Sequence, residues 1–227
     1  MNPLDNPIWT ALTTRHAELS EGDEIARRYL PSYTTLAGMA QETDAAFASL
    51  AQITAPTQRI GICSQADIDV PSTWICSAKF PVAQMICDEL LACRTFPMEI
   101  LTDDDVPEMK ELVMLTQPGP FANRTIKFGT FLAIKENGKI AAMAGQRMKV
   151  PGYDEVSAVC THPDHQGKGY ARALVHEISK RIVEGGSTPM LHVRSDNLAA
   201  IKSYEHVGFR TRREFYFSVL KPALQPT

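Results

Sequence analysis

The spacing of apolar residues changes once between Asp154 and Ile182, in DEVSAVCTHPDHQGKGYARALVHEISKRI. From Val156 to Thr161 the run is apolar or β-branched and of strand length, with charge before it and Pro163 after it, which predicts a buried strand. Beyond Gly169, the residues Ala171, Leu174, Val175, Ile178 and Ile182 recur at three- and four-residue intervals until Gly185 and Gly186. That period predicts an amphipathic helix with a glycine stop.

Upstream of this stretch, MEIL at 98–101 begins a strand, and Asp103 to Asp105 with Pro107 starts a helix from about Asp105 to Leu115. PGPF at 118–121 breaks the chain, and Asn137-Gly138 then divides TFLAIKENGKIAAMAGQRMKV into two strands. Asn-Gly suits a type I′ hairpin turn, which needs positive φ twice. After Ile182 come a strand around Leu191 to Val193, a helix and a last strand. The order predicts an α/β (mixed α+β) domain over 96–227, with helices flanking a mixed sheet.

Residues 1–95 predict a smaller mixed α/β domain. Its helices are expected at Ile8 to Glu18, on Trp9, Leu12 and His16, and at Gln41 to Ile53, capped by Thr43. Strands are expected at Arg59 to Cys63 and Thr73 to Ser77, with turns at Pro56 and Pro71. This part carries no chemical motif. It either forms one wall of a site or covers a face of its neighbour.

Chemistry concentrates at the junction Gln166, Gly167, Lys168, Gly169, Tyr170, Ala171. Glycines between a strand and a helix let backbone N–H groups approach a ligand, and first-turn donors have no partner within the helix. The helix dipole, Lys168 and Arg172 add positive charge, so a phosphorylated ligand fits. GxxxxGK[ST] is not met, because Lys168 lies between two glycines with no Ser or Thr after it, and GxGxxG is met only in its first half. The pattern that fits is Q/R-x-x-G-x-G/A, through Gln166, Gly169 and Ala171. There the chain resembles the GNAT superfamily of N-acyltransferases. A second stretch, LHVRSDNLAAIKSYEHVGF at 191–209, resembles that superfamily's later signature at Asn197, Ala200, Tyr204, Gly208 and Phe209. More loosely, the first half resembles the front domain of bacterial members of the glycine N-acyltransferase-like branch.

The resemblance implies acetyl transfer from acetyl-coenzyme A to a primary amine by direct attack. It implies that Val159, Cys160 and Thr161 pair with the pantetheine arm, that Gln166, Gly167, Lys168, Gly169, Tyr170, Ala171 and Arg172 receive the pyrophosphate, and that Asn197 holds the pantetheine from the other side. Tyr204 is the implied general acid: a phenol near pKa 10 facing a thiolate near 8.5 leaves about 2 kcal/mol uphill. Two residues compete as base, Glu155 at the start of the strand and His192 on the next. The alternatives are a non-catalytic acyl-coenzyme A binding module and a nucleotide-binding protein.

Composition narrows the partners. A net charge of −3 over 227 residues excludes the basic footprint of a nucleic-acid or anionic-membrane binder. The opening MNPLDNPIW lacks the basic start and apolar run of a secretory signal, and no segment reaches membrane-spanning length, so a cytoplasmic location is expected. Five cysteines with no CxxC pair point to reduced thiols, and neither their spacing nor Cys160, His162 and His165 reads as a metal site. Expected partners are a small amine, an amino acid or a peptide N-terminus, with a homodimer possible.

Overall fold

A computed structural model of the chain describes residues 2–223. In chain order the elements are α1 (Pro7–Thr13), β1 (Ser20–Gly22), β2 (Ala26–Tyr29), β3 (Ala37–Met39), α2 (Asp44–Ile53), β4 (Ile60–Ser64), β5 (Trp74–Ile86), β6 (Glu99–Ile100), α3 (Val106–Thr116), β7 (Phe131–Glu136), β8 (Lys139–Val150), β9 (Tyr153–Thr161), α4 (Tyr170–Glu184), β10 (Thr188–Arg194), α5 (Leu198–Glu205) and β11 (Arg210–Pro222). Two compact units interleave along the chain. One takes the residues up to Val82, Met148–Pro151 and the chain from Glu214; the other takes Ala83–Arg147 and Gly152–Arg213. The boundary expected after residue 95 falls inside the second unit. Among the described residues no helix is long and apolar enough to cross a membrane.

In the first unit β1, β2 and β3 form an antiparallel sheet, and β4 pairs antiparallel with the later half of β11, Ser64 opposite Tyr216 through Ile60 opposite Leu220. Thr43 caps α2 as expected, its hydroxyl accepting the Ala46 N–H at 3.3 Å. Phe47 and Leu50 then bury against Trp74 and Leu220. The helix expected to reach Glu18 stops at Thr13, where Thr13 and Thr14 turn their hydroxyls onto the Trp9 and Thr10 carbonyls. Such local side-chain bonds compete with helical continuation. The β1–β3 sheet has no apolar alternation to announce it, because β2 reads ARRY and Arg28 is buried between Glu21 at 2.8 Å and Gln58 at 2.7 Å.

The second unit is a mixed sheet. From the Arg210 end of β11 its strands run β11, the Ala83 end of β5, β10, β9, β8, β7, β6. Asn137 (φ 51°) and Gly138 (φ 76°) turn β7 into β8 as the hairpin signal requires. A 3₁₀ turn at Asp103–Asp105 leads into α3 and opens on a capping box in which the Asp105 carboxylate accepts the Thr102 N–H at 2.8 Å. Leu174, Val175, Ile178 and Ile182 of α4 are buried with Ala142, Val156 and Leu191, the packing their spacing called for. β5 departs from expectation by running on to Ile86.

Candidate active site

β9 and β10 are parallel over only three pairs, Tyr153 to Glu155 opposite Thr188 to Met190. Both strands continue past the end of that ladder. Within the continuation Ala158 adopts φ 51°, left-handed for a residue with a Cβ, which re-aims the strand where it leaves its neighbour. A cleft of about 650 Å³ lies along the end of β9, lined by Val159, Cys160 and Thr161, by Pro163, His165, Gln166, Gly167, Gly169, Tyr170, Ala171 and Arg172, and by Ala199, Ala200 and Ser203 around α5. Leu115 and Thr116 at the end of α3 complete it, a contribution that no motif announces.

The loop suits an anion. Gly167 (φ 76°) and Gly169 (φ 86°) hold backbone that side chains strain, and a Cβ built on either meets nothing within 4 Å, so the space above them is open. Gly169 is the N-cap of the 15-residue α4 and brings no side chain to satisfy its first-turn donors. Two buried polar atoms on the cleft wall, Arg172 Nε and Thr161 Oγ1, lack a hydrogen-bond partner among the described residues. Buried donors are seldom left so, and a diphosphate and an amide-bearing arm would satisfy them. These residues fit coenzyme A.

Lys168, Tyr170 and Asn197 each have a contact within the protein. The Lys168 Nζ lies 3.0 Å from Nδ1 of the lining residue His165 and 5.7 Å from the centre of the Tyr170 ring. Tyr170 lends its backbone to the cleft while its hydroxyl donates to Glu136 and its ring packs on Phe96. The Asn197 side chain accepts the Ala200 N–H at 3.1 Å, so it caps α5; Asn is a preferred residue there because its oxygen reaches the N3 donor.

Tyr204 follows the lining residue Ser203 and packs half-buried on the core with its ring 6.3 Å from that of Phe209. Burial, and then the neighbouring Cys160, push its phenol up to about 12, so it keeps its proton at neutral pH. Cys160 packs among Met109, Leu112 and Phe131, and burial pushes its thiol up to about 12 as well.

The two candidate bases stand in one network. Arg147 grips the fully buried Glu155 in bidentate fashion, Nε to Oε2 at 2.8 Å and Nη2 to Oε1 at 2.7 Å. His192 Nδ1 lies 2.7 Å from the same Oε1. Burial alone would raise the Glu155 pKa, but the Arg147 charge and hydrogen bonds, then His192, outweigh it and hold the carboxyl well below the usual range. A carboxylate held that way is a poor proton acceptor, and the geometry gives Glu155 the task of orienting His192. On the far side Gln84 Nε2 is 3.1 Å from His192 Nε2, while Gln84 Oε1 accepts from Arg212 Nη1 at 2.9 Å. Sequence reading missed Arg147, Gln84 and Arg212, which carry no motif and meet only through strand order.

Relatives match this architecture. A crystal structure of a putative acetyltransferase from the GNAT family, from Novosphingobium aromaticivorans DSM 12444, superposes with a TM-score of 0.92 at 33% identity, over 99% of this chain and 100% of that one. The chain belongs to the GNAT family. Residues 132–218 also match the family described as FR47-like protein. The [ribosomal protein bS18]-alanine N-acetyltransferase of Escherichia coli (strain K12) is 37% identical over 89 residues, 37% of this chain and 58% of that protein. A mycothiol acetyltransferase of Mycobacterium avium (strain 104) is 38% identical over 69 residues, 27% of this chain and 22% of that protein. In this GNAT chain the matched residues include β9, the glycine loop, the start of α4 and α5, all of which line the cleft.

Proposed function

We propose that the chain transfers an acetyl group from acetyl-coenzyme A to a primary amine by direct attack within a ternary complex. One observation carries the reading: a cleft along the end of β9 runs into the uncapped start of α4, and two of its lining residues, Arg172 and Thr161, hold a buried Nε and Oγ1 with no partner among the described residues. When bound, the cosubstrate supplies an activated thioester. The backbone from Gly167 to Arg172 holds its diphosphate, and the Val159 to Thr161 edge holds its arm and polarises the carbonyl, a service in which one donor is worth about 3 kcal/mol. His192 takes a proton from the acceptor ammonium, and Tyr204 protonates the departing sulfur. A small amine, an amino acid or a peptide N-terminus is the acceptor class, in keeping with the alanine N-acetyltransferase and mycothiol acetyltransferase names of the relatives. A cytoplasmic setting and the glycine N-acyltransferase-like kinship of the first 95 residues belong to the same proposal.

The test is coenzyme A release on adding pooled amines, amino acids and short peptides to protein and acetyl-coenzyme A. Turnover with at least one pool is the expected result; binding of acetyl-coenzyme A with no turnover in any pool would leave a binding module instead. For Tyr204→Phe, kcat should fall about a hundredfold or more with acetyl-coenzyme A affinity unchanged. Undiminished kcat removes Tyr204 as the acid.

A further inference from the structure

Five side chains from five neighbouring strands form one line of hydrogen bonds: Arg212 of β11, Gln84 of β5, His192 of β10, Glu155 of β9 and Arg147 of β8. All five lie in the second unit, and both Gln84 and Glu155 are completely buried. The direction of every bond follows from the two ends. Arginine has donors and no acceptor, so Arg212 must face the amide oxygen of Gln84. The amide nitrogen therefore faces His192, and a donor there requires His192 Nε2 to be the unprotonated nitrogen. From the other end, both Glu155 oxygens accept from Arg147, and Oε1 also faces His192 Nδ1. A carboxylate so held only accepts, which requires the proton on Nδ1. Two independent chains of reasoning thus give the same tautomer. On the β9–β10 register, in which Met190 faces Glu155, His192 is level with Ser157, just past the end of the ladder and beside the left-handed Ala158.

We propose that Gln84, pinned by Arg212, is a positioning residue that locks His192 as the Nδ1–H tautomer and keeps its Nε2 lone pair in store for the acceptor. This rests on His192 being the base of the proposed transfer. The step is an exchange of donors: an N–H of the acceptor ammonium takes the place of the Gln84 amide at Nε2. Its proton then moves to Nε2, the N–H bond pair becomes the amine lone pair, and the resulting imidazolium keeps its Nδ1–H on Glu155. Only an amide does this at position 84. A carboxylate there would accept from Arg212 and from Nε2–H together, and would hold the imidazole doubly protonated before any acceptor arrived. The charged and titratable groups around His192 in this line are Glu155 and Arg147 on one side and Arg212, behind Gln84, on the other.

The test uses the full chain labelled with ¹⁵N-histidine, because imidazole ¹⁵N shifts report tautomer and protonation directly. In the wild type the His192 pair is expected at the values of a neutral ring protonated at Nδ1. In Gln84→Glu both nitrogens are expected to appear protonated at neutral pH. Turnover there should fall about tenfold or more, and the acid limb of the kcat profile should move up by about one pH unit or more, with KM for acetyl-coenzyme A unchanged. Should the buried carboxylate prevent folding, Gln84→Met replaces it; there Glu155 still holds the proton on Nδ1, and the Nε2 signal is expected to move to that of a ring nitrogen with no donor facing it. A wild-type His192 protonated at Nε2, or the same ¹⁵N pattern in wild type and variant, overturns the proposal. If the tautomer responds as described while the pH profile stays fixed, the lock stands and it is His192 as base that fails.

Discussion

Cys160 and Tyr204 report one environment through two chemistries. With the phenol at about 12, protonating an ordinary thiolate near 8.5 would run about 5 kcal/mol uphill, more than the 2 kcal/mol that an unperturbed tyrosine implies. The thiol of Cys160, whose charge is among the causes that raise that phenol, is pushed by burial to about 12 too. Glu155 shows the opposite balance. Its folded pKa lies below its ordinary value of 4.5, so the pair with Arg147 contributes its full stability above that pH and loses it as the pH falls further. Glu155→Gln leaves Arg147 without its countercharge and should lower stability by about 3 kcal/mol at pH 7, with a flatter decline than wild type below pH 4.5. Urea unfolding of both proteins at pH 7 and in acid checks this; parallel pH curves would contradict it. A sequence can name a histidine and a glutamate as rival bases, but not that one orients the other, since that depends on strands 37 residues apart in the chain.

Periodic elements were the readable ones. α4 and the Asn137-Gly138 hairpin follow directly from spacing and turn chemistry, because local sequence suffices to bury one helix face or to permit positive φ twice. The short strands β1 to β3 and the second half of β5 were hidden, the first because a buried arginine interrupts the apolar pattern, the second because its partners β10 and β11 lie far along the chain. In the later signature the Asn and Gly positions have structural work: Asn197 caps α5, and Gly208 lets the chain turn out of it. At φ 110° a Cβ on Gly208 would lie 2.0 Å from the Glu89 carbonyl oxygen. Gly208→Ala should therefore cost at least about 2 kcal/mol in stability. An unchanged denaturation midpoint would show that this turn yields more easily than the fixed carbonyl allows.

For the molecule in solution, the cleft makes a comparative prediction. Coenzyme A at a hundred times its dissociation constant should stabilise the folded chain by about 2.7 kcal/mol, raising the melting midpoint by several degrees. ATP or NAD at equal concentration should raise it less, because neither offers an arm to the parted β9 and β10; an equal or larger rise with NAD would favour a nucleotide site. The division of the chain after residue 95 follows the order of expected elements along the chain, whereas the first unit takes up the chain again from Glu214. That return has a consequence for biosynthesis. β4 leaves the ribosome with its partner, Tyr216 to Leu220, still about 150 residues from being translated. At about 5–20 residues per second the nascent strand waits roughly 8–30 s with an open edge. Such an edge can template pairing with other chains, so slow translation or a ribosome stalled within the second unit should favour aggregation over release of a folded product.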